Sequence, residues 1–338
     1  MKTKLLLTAF VSSFILHTSA FAQGALTPPG APAPTMKSLD QVEARTIVNA
    51  ANTPGNAGNL YIISQPGSYY LTTNLTGVNG KHGISVTANN VTLDLNGFAV
   101  QGVGANTIGI TIPNAQTNVT VQNGSVSGWA YDGADALSSG ANNILFEHLN
   151  VFANGGVGIY LFGNGVVRNC NSHKNNSDGI FSNGGSITGC AANNNGGTGI
   201  TIYSGVIADC TARKNSLHGI YVAPGSVSGC LVSGNTSAGI DVDGPGSMVS
   251  RNTCIGNGYG IFVNDARNRI EDNQVTASIT AGIQIANTTS YTNNLVIKNS
   301  VFGNGANNYV TPNTQIVGPI ITATGTITSV NPWANFSY

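Results

Sequence analysis

A glycine–isoleucine pair recurs through most of this chain at intervals close to 20 residues, and this period constrains the fold more than any other feature. From Gly158 to Gly239 the successive intervals are 21, 20, 20 and 20 residues. A weaker copy, Ala136-Leu137, is expected to fill the gap between Gly109 and Gly158. A fixed period of this length is typical of a solenoid. The pairs are Gly83-Ile84, Gly109-Ile110, Gly158-Ile159, Gly179-Ile180, Gly199-Ile200, Gly219-Ile220, Gly239-Ile240, Gly260-Ile261 and Gly282-Ile283.

A second pattern precedes the pairs and supports the same period. An aliphatic residue is followed after three positions by a small polar residue, after two more by a small or apolar residue, and after three more often by Asn. Each repeat therefore holds short alternating segments, none of which can bury its apolar face alone, so successive coils must stack to form a core. The copies are Val167-x-x-Cys170-x-Ser172-x-x-Asn175, Ile207-x-x-Cys210-x-Ala212-x-x-Asn215, Val249-x-x-Asn252-x-Cys254-x-x-Asn257 and Val296-x-x-Asn299-x-Val301-x-x-Asn304.

These two patterns predict an all-β, single-domain parallel β-helix. We expect about ten or eleven coils between about Leu60 and Val310. At about 4.8 Å per coil the solenoid would be roughly 50 Å long. Asn and Gly are expected at its turns, because the turns between strands use left-handed backbone conformations.

The composition excludes several other classes of protein. The chain of 338 residues has 13 basic and 13 acidic side chains, or 8% charged. This is too few Lys and Arg for a nucleic-acid-binding surface, so no nucleic-acid partner is expected. A disordered chain is excluded because 41% of the residues are hydrophobic. A helical bundle is disfavoured because the 44 Gly residues and the many Asn residues are poor helix formers.

The N-terminal residues are typical of a secretory signal. Lys2 and Lys4 precede an apolar run that is too short to span a bilayer, and Ala20-Phe21-Ala22 is a small-residue cleavage site. We therefore expect an exported protein, secreted, periplasmic or at the cell surface, with no transmembrane segment after cleavage. A short amphipathic helix over residues 38–43 is expected to cap the solenoid. The predicted segments are a signal peptide (1–22), a Pro-rich linker (23–36), an N-terminal cap (37–59), the β-helix (60–310) and a C-terminal cap or tail (311–338).

Four cysteines at 20-residue spacing should stack as a column, because equivalent positions of successive coils lie above one another. We favour a buried ladder of free thiols, since stacked Cβ atoms about 4.8 Å apart are far for a disulfide. One or two disulfides are the alternative. No metal is expected on the ladder because no His shares it. The column is Cys170, Cys190, Cys210 and Cys230, continued by Asn252, Asn273 and Asn299, with Cys254 two positions off it.

The repeats resemble the right-handed parallel β-helix family, also called the pectin-lyase-like fold. The segment Asn90–Gly97, NVTLDLNG, is similar to an early coil of that family, and Gln65–Leu71, QPGSYYL, to the strand that opens such domains. The likeness covers about residues 60–310 and implies a right-handed coil. It implies little about activity, because the family hosts polysaccharide lyases, polygalacturonase-like hydrolases, epimerases and phage tailspikes.

The catalytic motifs of that family do not carry over. Polygalacturonase-like members have an Asp-Asp pair, a Gly-His-Gly and an Arg-x-Lys, whereas this chain has only Lys81-His82-Gly83 and Leu217-His218-Gly219. Pectate lyases hold calcium with acidic residues and use Arg or Lys as a base, and no local motif matches these. No cofactor is therefore expected, calcium alone being left open, and no metal ligands can be named.

The rare charged residues concentrate at the turn before the repeated glycine in the middle coils. Asp135 and Asp178 are expected there two coils apart, about 9.6 Å along the axis, near the upper end of the carboxylate separation in inverting glycosidases. We predict acid/base roles for Asp178 and His218. Lys214 and Arg213 complete the predicted catalytic set as partners of acidic sugar groups. The alternative is that charges simply prefer exposed turns.

A longer turn in an early coil, residues 129–136, holds Asp132 and Asp135. Loops on a rigid scaffold often carry function, so both are predicted to contact substrate. The alternative is a tolerated insertion.

A column of residues that follows each Gly-Ile pair should point outward and is rich in aromatic side chains. Aromatic rings supply a large contact area at low entropic cost and stack on sugar rings. The alternative is that aromatic residues serve β-propensity and cross-coil packing. The predicted substrate contacts on this face are Tyr160, Phe181, Tyr203 and Tyr221 for stacking, and Asp241 and Asp243 for hydroxyls or a cation.

These patterns favour an exported β-helix protein that binds, and as a lyase or hydrolase processes, an extracellular polysaccharide. The expected partner is a polysaccharide or a cell-surface glycan. The alternative is a non-catalytic adhesive or structural solenoid, which the scarcity of ionisable groups favours.

Overall fold

The computed structural model describes residues 44–104, 107–322 and 325–338. Every regular element in these residues is a β-strand. The first strands are β1 (Thr46–Ile47), β2 (Asn59–Ile63), β3 (Gly67–Tyr70), β4 (Leu75–Thr76), β5 (His82–Val86), β6 (Val91–Asp94), β7 (Ala99–Gln101), β8 (Ile110–Ile112), β9 (Thr117–Ser127), β10 (Ala134–Ala136), β11 (Asn142–Phe152) and β12 (Ile159–Leu161). The middle strands are β13 (Asn164–Arg168), β14 (Asn171–His173), β15 (Ile180–Ser182), β16 (Gly185–Thr188), β17 (Ala191–Asn193), β18 (Ile200–Ile202), β19 (Gly205–Ala208), β20 (Thr211–Arg213), β21 (Ile220–Val222), β22 (Gly225–Ser228), β23 (Leu231–Ser233) and β24 (Ala238–Val242). The last strands are β25 (Met248–Ser250), β26 (Thr253–Ile255), β27 (Tyr259–Val263), β28 (Arg269–Glu271), β29 (Gln274–Thr276), β30 (Ala281–Ile285), β31 (Leu295–Ile297), β32 (Ser300–Phe302), β33 (Asn307–Val310), β34 (Ile316–Val317), β35 (Ile320–Ile321) and β36 (Asn335–Ser337).

The strands form a parallel β-helix, as the repeat predicts. One sheet has 12 strands, one from each coil, and a larger sheet of 24 strands takes the remaining segments, usually two from each coil. The 12-stranded sheet gives twelve coils, slightly more than the ten or eleven expected. The end strands β2 and β33 carry no Gly-Ile pair, so the sequence repeat misses them.

The core is a stack of aliphatic side chains that point into the coil. The isoleucine of each pair lies directly on that of the next coil, as in Ile180 with Ile200 and Ile200 with Ile220. These three side chains have no solvent-exposed surface. Because no strand could bury such a face alone, coil stacking supplies the apolar burial that stabilises the fold.

The glycine of each pair is required by close backbone approach. A Cβ atom on Gly199 would lie 2.5 Å from the Asn215 side-chain nitrogen and 2.6 Å from the Gly219 carbonyl oxygen of the next coil. The left-handed conformations occur at other corners, as at Asn194 (φ 55°) and Gly234 (φ 65°). The expectation for Asn and Gly at turns is therefore right for these corners but not for the Gly-Ile pairs, whose glycines serve packing.

A ladder of buried asparagines runs along one corner of the coils. The side-chain oxygen of Asn215 accepts hydrogen bonds from the backbone N–H and side-chain amide of Asn195, at 3.0 and 3.1 Å. The amide of Asn215 donates to Ala192 and to Asn235. The ladder satisfies backbone groups that the corner would otherwise leave unpaired. Its members are Asn154, Asn175, Asn195, Asn215, Asn235 and Asn257.

The cysteine column forms at a second corner. All five cysteines are free and buried, as favoured from their spacing. The backbone N–H of Cys190 donates to the Cys210 sulfur at 3.4 Å, and that of Cys230 donates to Asn252 at 2.9 Å. Sulfur thus occupies the acceptor position that Asn fills in later coils.

The C-terminal residues pack on the last coils of the solenoid. The C-terminal strand β36 pairs with β32, and Tyr338 stacks on Phe302 with ring centroids 4.7 Å apart. The expected signal peptide, Pro-rich linker and capping helix lie outside the described residues. No helix among the described residues is long and apolar enough to cross a membrane.

The asparagine ladder makes a direct prediction about stability. Asn215→Ala should leave donors of Asn195 unpaired, at a cost of about 1–3 kcal/mol for each buried group. Urea unfolding followed by circular dichroism should show a clearly lower midpoint. Asn176→Ala, at an exposed position next to the ladder member Asn175, is the control. Equal midpoints for the two variants would contradict a stabilising role for the ladder.

Candidate functional site

The outer face of the 12-stranded sheet carries one continuous central column of side chains. Each member pairs in register with the next coil, so neighbours lie about 4.8 Å apart along the axis. The column contains the residues predicted from Tyr160 onward and also continues to earlier coils. Its members are Ser85, Thr111, Asp135, Tyr160, Phe181, Thr201, Tyr221, Asp241, Phe262 and Gln284.

The register corrects the placement of Asp135. Asp135 pairs with Thr111 and Tyr160, so it belongs to the central column and not to the turn before the glycine. The weak repeat of this coil is Gly133-Ala134, three residues before the expected Ala136-Leu137, because the Gly133 N–H donates to Val157 as each pair glycine does to the next coil. Asp132 therefore occupies the turn position that was assigned to Asp135.

An aromatic row covers the middle of this face. Tyr160 and Phe181 stack with centroids 4.8 Å apart and an interplanar angle of 11°. Phe181 meets Tyr203 edge-on at 5.5 Å, and Tyr203 meets Tyr221 at 5.9 Å. We use the term aromatic row for these four side chains and Phe162, whose ring lies 6.2 Å from that of Tyr160. Tyr203 is 43% exposed and presents its ring to solvent.

A polar cluster adjoins the aromatic row at Tyr221. His218 Nε2 lies 3.4 Å from Asp241 Oδ2, and Asn264 donates to Asp241 Oδ1 at 3.0 Å. The Tyr221 hydroxyl donates to Asp243 at 2.6 Å. The His218 and Tyr221 rings are 6.3 Å apart. The structure thus brings together four of the predicted site residues, His218, Tyr221, Asp241 and Asp243, from two successive coils, with Asn264 from the next coil.

The pKa values of three groups in this cluster are shifted from their ordinary values. Burial, with the negative charge of Asp243, raises the pKa of Asp241 to about 7. Burial lowers the pKa of His218, against the opposing effect of Asp178 and Asp243. Burial and the hydrogen bond to Asp243 raise the pKa of Tyr221. A carboxyl group that keeps its proton near pH 7 beside a neutral imidazole is suited to acid catalysis.

Asp178 lies on the turn column two coils before His218. Its carboxylate accepts the Thr198 N–H at 2.8 Å and the Thr201 hydroxyl at 2.7 Å. Asp132 holds the equivalent position in an earlier coil and accepts the Val157 N–H at 2.7 Å. Both carboxylates therefore bind the backbone of the next coil, and Asp178 is also tied to the central column through Thr201.

Asp135 is a buried acid within the central column. Its exposed fraction is 0%, and neither carboxyl oxygen has a hydrogen-bond partner among the described residues. Burial raises its pKa to about 7; the nearby Thr111 hydroxyl offsets part of this shift, whereas Asp132 adds to it. Asp135 is thus protonated over much of the range in which Asp carboxyl groups are normally charged.

Arg213 and Lys214 lie apart from this cluster. Arg213 ends β20 in the 24-stranded sheet, and its Nε donates to Ser233 at 3.2 Å. Lys214 is exposed and occupies a left-handed corner with φ of 53°, in the same column as Asn194 and Gly234. Sequence proximity to His218 therefore does not place these cations on the aromatic face.

Two site residues were not selected from the sequence. Thr201 links Asp178 to the central column, and Asn264 orients Asp241. Thr201 stood in the predicted outward column, but it is neither aromatic nor charged. Asn264 follows its strand at the position Asp243 has in the preceding coil, a stacking relation that could have identified it.

No group of three or more His, Cys, Asp or Glu side chains converges on a metal-binding position within residues 44–104, 107–322 and 325–338. An apolar cavity of about 320 Å³ lies elsewhere, between β28, β31 and the C-terminal tail, lined by Leu295, Ile297, Ile316 and Trp333 among others. It contains none of the predicted site residues. The acid/base groups are therefore on the open face of the sheet rather than in this cavity.

The raised pKa of Asp135 predicts a specific pH dependence of stability. Its folded pKa of about 7 lies above the ordinary value of 3.8, so the free energy of unfolding should fall as pH rises from about 4 to 7. Asp135→Asn removes this titration. The loss of unfolding free energy between pH 4 and pH 8 should therefore be smaller in Asp135→Asn than in wild type, by roughly 2–4 kcal/mol. Chemical unfolding across this range measures the slope. The exposed Asp272→Asn is the control, and an unchanged slope in Asp135→Asn would refute the assignment.

Comparison with solved structures agrees with this architecture. The mannuronan C-5 epimerase AlgE6 A-module of Azotobacter vinelandii is similar with a TM-score of 0.55 and 17% identity, covering 81% of this chain and 91% of that chain. The periplasmic alginate epimerase AlgG gives a TM-score of 0.54 at 14% identity, covering 87% and 82%. The Dettilon tailspike protein gives 0.53 at 14% identity, covering 83% and 60%. At these identities the likeness concerns the fold.

The family comparison is more specific. No curated protein sequence matches the chain. The model described as "Right handed beta helix region" matches residues 109–253 and 204–331, which together span most of the chain and include the aromatic row and the His218–Asp241 cluster. The resemblance read from the repeats is thereby confirmed, and the chain belongs to the right-handed β-helix family.

Proposed function

We propose that this protein binds an extracellular polysaccharide along the aromatic row and hydrolyses it at the His218–Asp241 cluster. The observation that carries the proposal is the continuity of the two features. Stacked rings follow the coil axis from Tyr160 to Tyr221, where they meet a carboxyl group with a pKa of about 7. The epimerases and the tailspike with similar folds support a carbohydrate ligand in general terms.

The geometry of the row suits an extended polymer. Its rings come from successive coils, so they repeat at about 4.8 Å along a straight, rigid face. Sugar rings can pack their C–H faces on such aromatic groups, while nearby carboxyl and amide groups bind hydroxyls. The rings are already ordered by stacking on one another, which reduces the entropy lost on binding.

Asp241 is the proposed general acid. With a pKa of about 7 it carries a proton near neutral pH and can transfer it to the glycosidic oxygen as the C–O bond breaks. His218 and Asn264 hold its two oxygens in place. His218 Nδ1 is buried and has no hydrogen-bond partner among the residues that the structure describes, so these residues leave one nitrogen of the imidazole unused.

Asp178 is the proposed base that takes a proton from the attacking water. It is anchored to Thr201, which lies two coils before Asp241 in the central column, or about 9.6 Å along the axis. The charge of Asp178 acts on His218, so this carboxyl group faces the cluster from the preceding coils. An inverting enzyme needs two carboxyl groups that are separated enough to hold a water between them. The proton from water then resides on Asp178, and the leaving sugar carries the proton from Asp241.

Hydrolysis is favoured over β-elimination by the charges near the cluster. Elimination from a uronate needs a cation that neutralises the sugar carboxylate. Arg213 and Lys214 are the cations closest to it in sequence, but both are anchored at the 24-stranded sheet or its corner. The aromatic face itself presents carboxyl groups at Asp241 and Asp243.

Binding without catalysis is the second candidate, and one observation favours it. Asp178 and Asp132 hold equivalent turn positions and both accept a backbone N–H of the next coil. A carboxylate with this repeated role can be explained by the architecture alone. In that case the same aromatic face serves an adhesive or structural protein. Either function is proposed to be exercised outside the cytoplasm, on the basis of the signal-like residues 1–22.

Loss of ring contacts should weaken glycan binding. Removing about 1–2 kcal/mol of stacking by Tyr203→Ala or Tyr221→Ala should lower affinity about fivefold to thirtyfold for any polysaccharide retained on a glycan array. Phe152→Ala, which removes an aromatic ring from the 24-stranded sheet, is the matched control. If all three variants bind equally, or if no glycan is retained by wild type, the proposed binding face is wrong.

Hydrolysis should depend on the protonated form of Asp241. The rate of release of new reducing ends should decline above pH of about 7, and Asp241→Asn should lower it by about 10²–10⁴-fold. Asp272→Asn, exposed and near the 24-stranded sheet, should retain the wild-type rate. Glycan binding without new reducing ends at any pH would eliminate the hydrolase and leave the binding protein.

A further inference from the structure

The basic residues that the structure describes lie almost entirely at one of the two sheets. Of the ten Lys and Arg side chains within residues 44–104, 107–322 and 325–338, nine lie on a strand of the 24-stranded sheet or within two residues of one. Lys81 alone adjoins the 12-stranded sheet, and it is turned to the Asn56 carbonyl at 2.8 Å. The nine are Arg45, Arg168, Lys174, Arg213, Lys214, Arg251, Arg267, Arg269 and Lys298.

The acidic residues do not share this distribution. Of the eleven within the same described ranges, six lie on strands of the 12-stranded sheet or within two residues of them, and five lie equally near the 24-stranded sheet. Five of the six belong to the face described above, so this face has carboxyl groups without nearby Lys or Arg. Since burial lowers the pKa of His218, the imidazole adds little positive charge at neutral pH. The six are Asp132, Asp135, Asp178, Asp241, Asp243 and Asp265.

This distribution is unfavourable for a polyanion. A polyuronate laid along the aromatic row would bring one carboxylate per sugar to a face whose own charges are negative, and like charges at such distances repel. The cations that could compensate are held on the other sheet, as Arg168 is by Glu147 and Arg269 by Glu271. The face is suited instead to hydroxyl groups, which carboxylates and amides bind as acceptors.

A bridging cation would not readily remove this repulsion. The carboxylates of the face are dispersed, and each is engaged by the protein: Asp178 by Thr201, Asp241 by Asn264 and Asp243 by Tyr221. Divalent cations need several oxygen ligands that converge on one point. In the described part of the chain no three such side chains converge.

We infer that the ligand of this face is an uncharged polysaccharide, in contrast to the mannuronan and the alginate named for two of the similar structures. The inference rests on the proposed function, because it specifies the substrate class of the same aromatic row. The acidic residues thus act as a filter that rejects polyuronates, in addition to any role in acid/base chemistry.

The test compares binding of the full chain to neutral and acidic polymers in EDTA and then in calcium. β-Glucan, mannan and arabinan form the neutral panel, and polygalacturonate and alginate form the acidic panel. We expect at least one neutral polymer to bind ten times or more tighter than either polyuronate in both buffers, with little dependence on salt. Tyr203→Ala should weaken this neutral binding.

A charge variant tests the filter itself. Asp132→Asn combined with Asp243→Asn should raise affinity for a polyuronate at least threefold relative to affinity for the neutral polymer, because two carboxyl groups leave the face. Asp272→Asn, near the other sheet, should change neither. The inference would be overturned if a polyuronate bound as tightly as the neutral polymer in EDTA or in calcium. If Tyr203→Ala weakened that polyuronate binding, the proposed binding face would still stand. Absence of binding to both panels would overturn the two together.

Discussion

Everything in this molecule depends on the stacking of each coil on the next in the same register. The backbone pairs, the isoleucine columns and the asparagine ladder all repeat along one axis, and each supports the others. A Cβ on Gly199 would collide with the next coil, while the Asn215 side chain occupies the space beside it. The pair glycine, the ladder asparagine and the pair isoleucine are therefore required together in each coil. The repeat persists for this reason, although the outward residues differ from coil to coil.

The same constraint explains which features could be predicted from the sequence. The fold, the outward column and the free thiol column follow from a period of 20 residues. The period fails where the coil is irregular: the true repeat at Gly133-Ala134 lacks isoleucine, so Asp135 was assigned to the wrong column. Pairing depends on backbone geometry, and composition alone does not reveal a shift of three residues.

The contacts of the site residues are harder to predict from the sequence than the fold. Arg213 and Lys214 are four or five positions from His218, yet the corner between them turns the chain from one sheet to the other. The partner of His218 instead comes from the following coil, at Asp241, and Asn264 from the coil after that donates to Asp241. In a solenoid the residue one period away is a closer neighbour than the residue a few positions away, and this relation should guide the search for sites in such chains.

The thiol column has a further consequence for how the protein can be observed. Hydrogen bonding among the stacked sulfurs, together with burial, raises the pKa of Cys190 and Cys210 to about 12. Thiols in this state react slowly with alkylating reagents, because the thiolate is the nucleophile. Cys170, Cys190, Cys210 and Cys230 belong to the four coils whose strands begin at Ile159, Ile180, Ile200 and Ile220, and these coils carry the aromatic row. The rate at which these thiols are alkylated therefore measures how often the segment that supports the proposed carbohydrate face opens transiently.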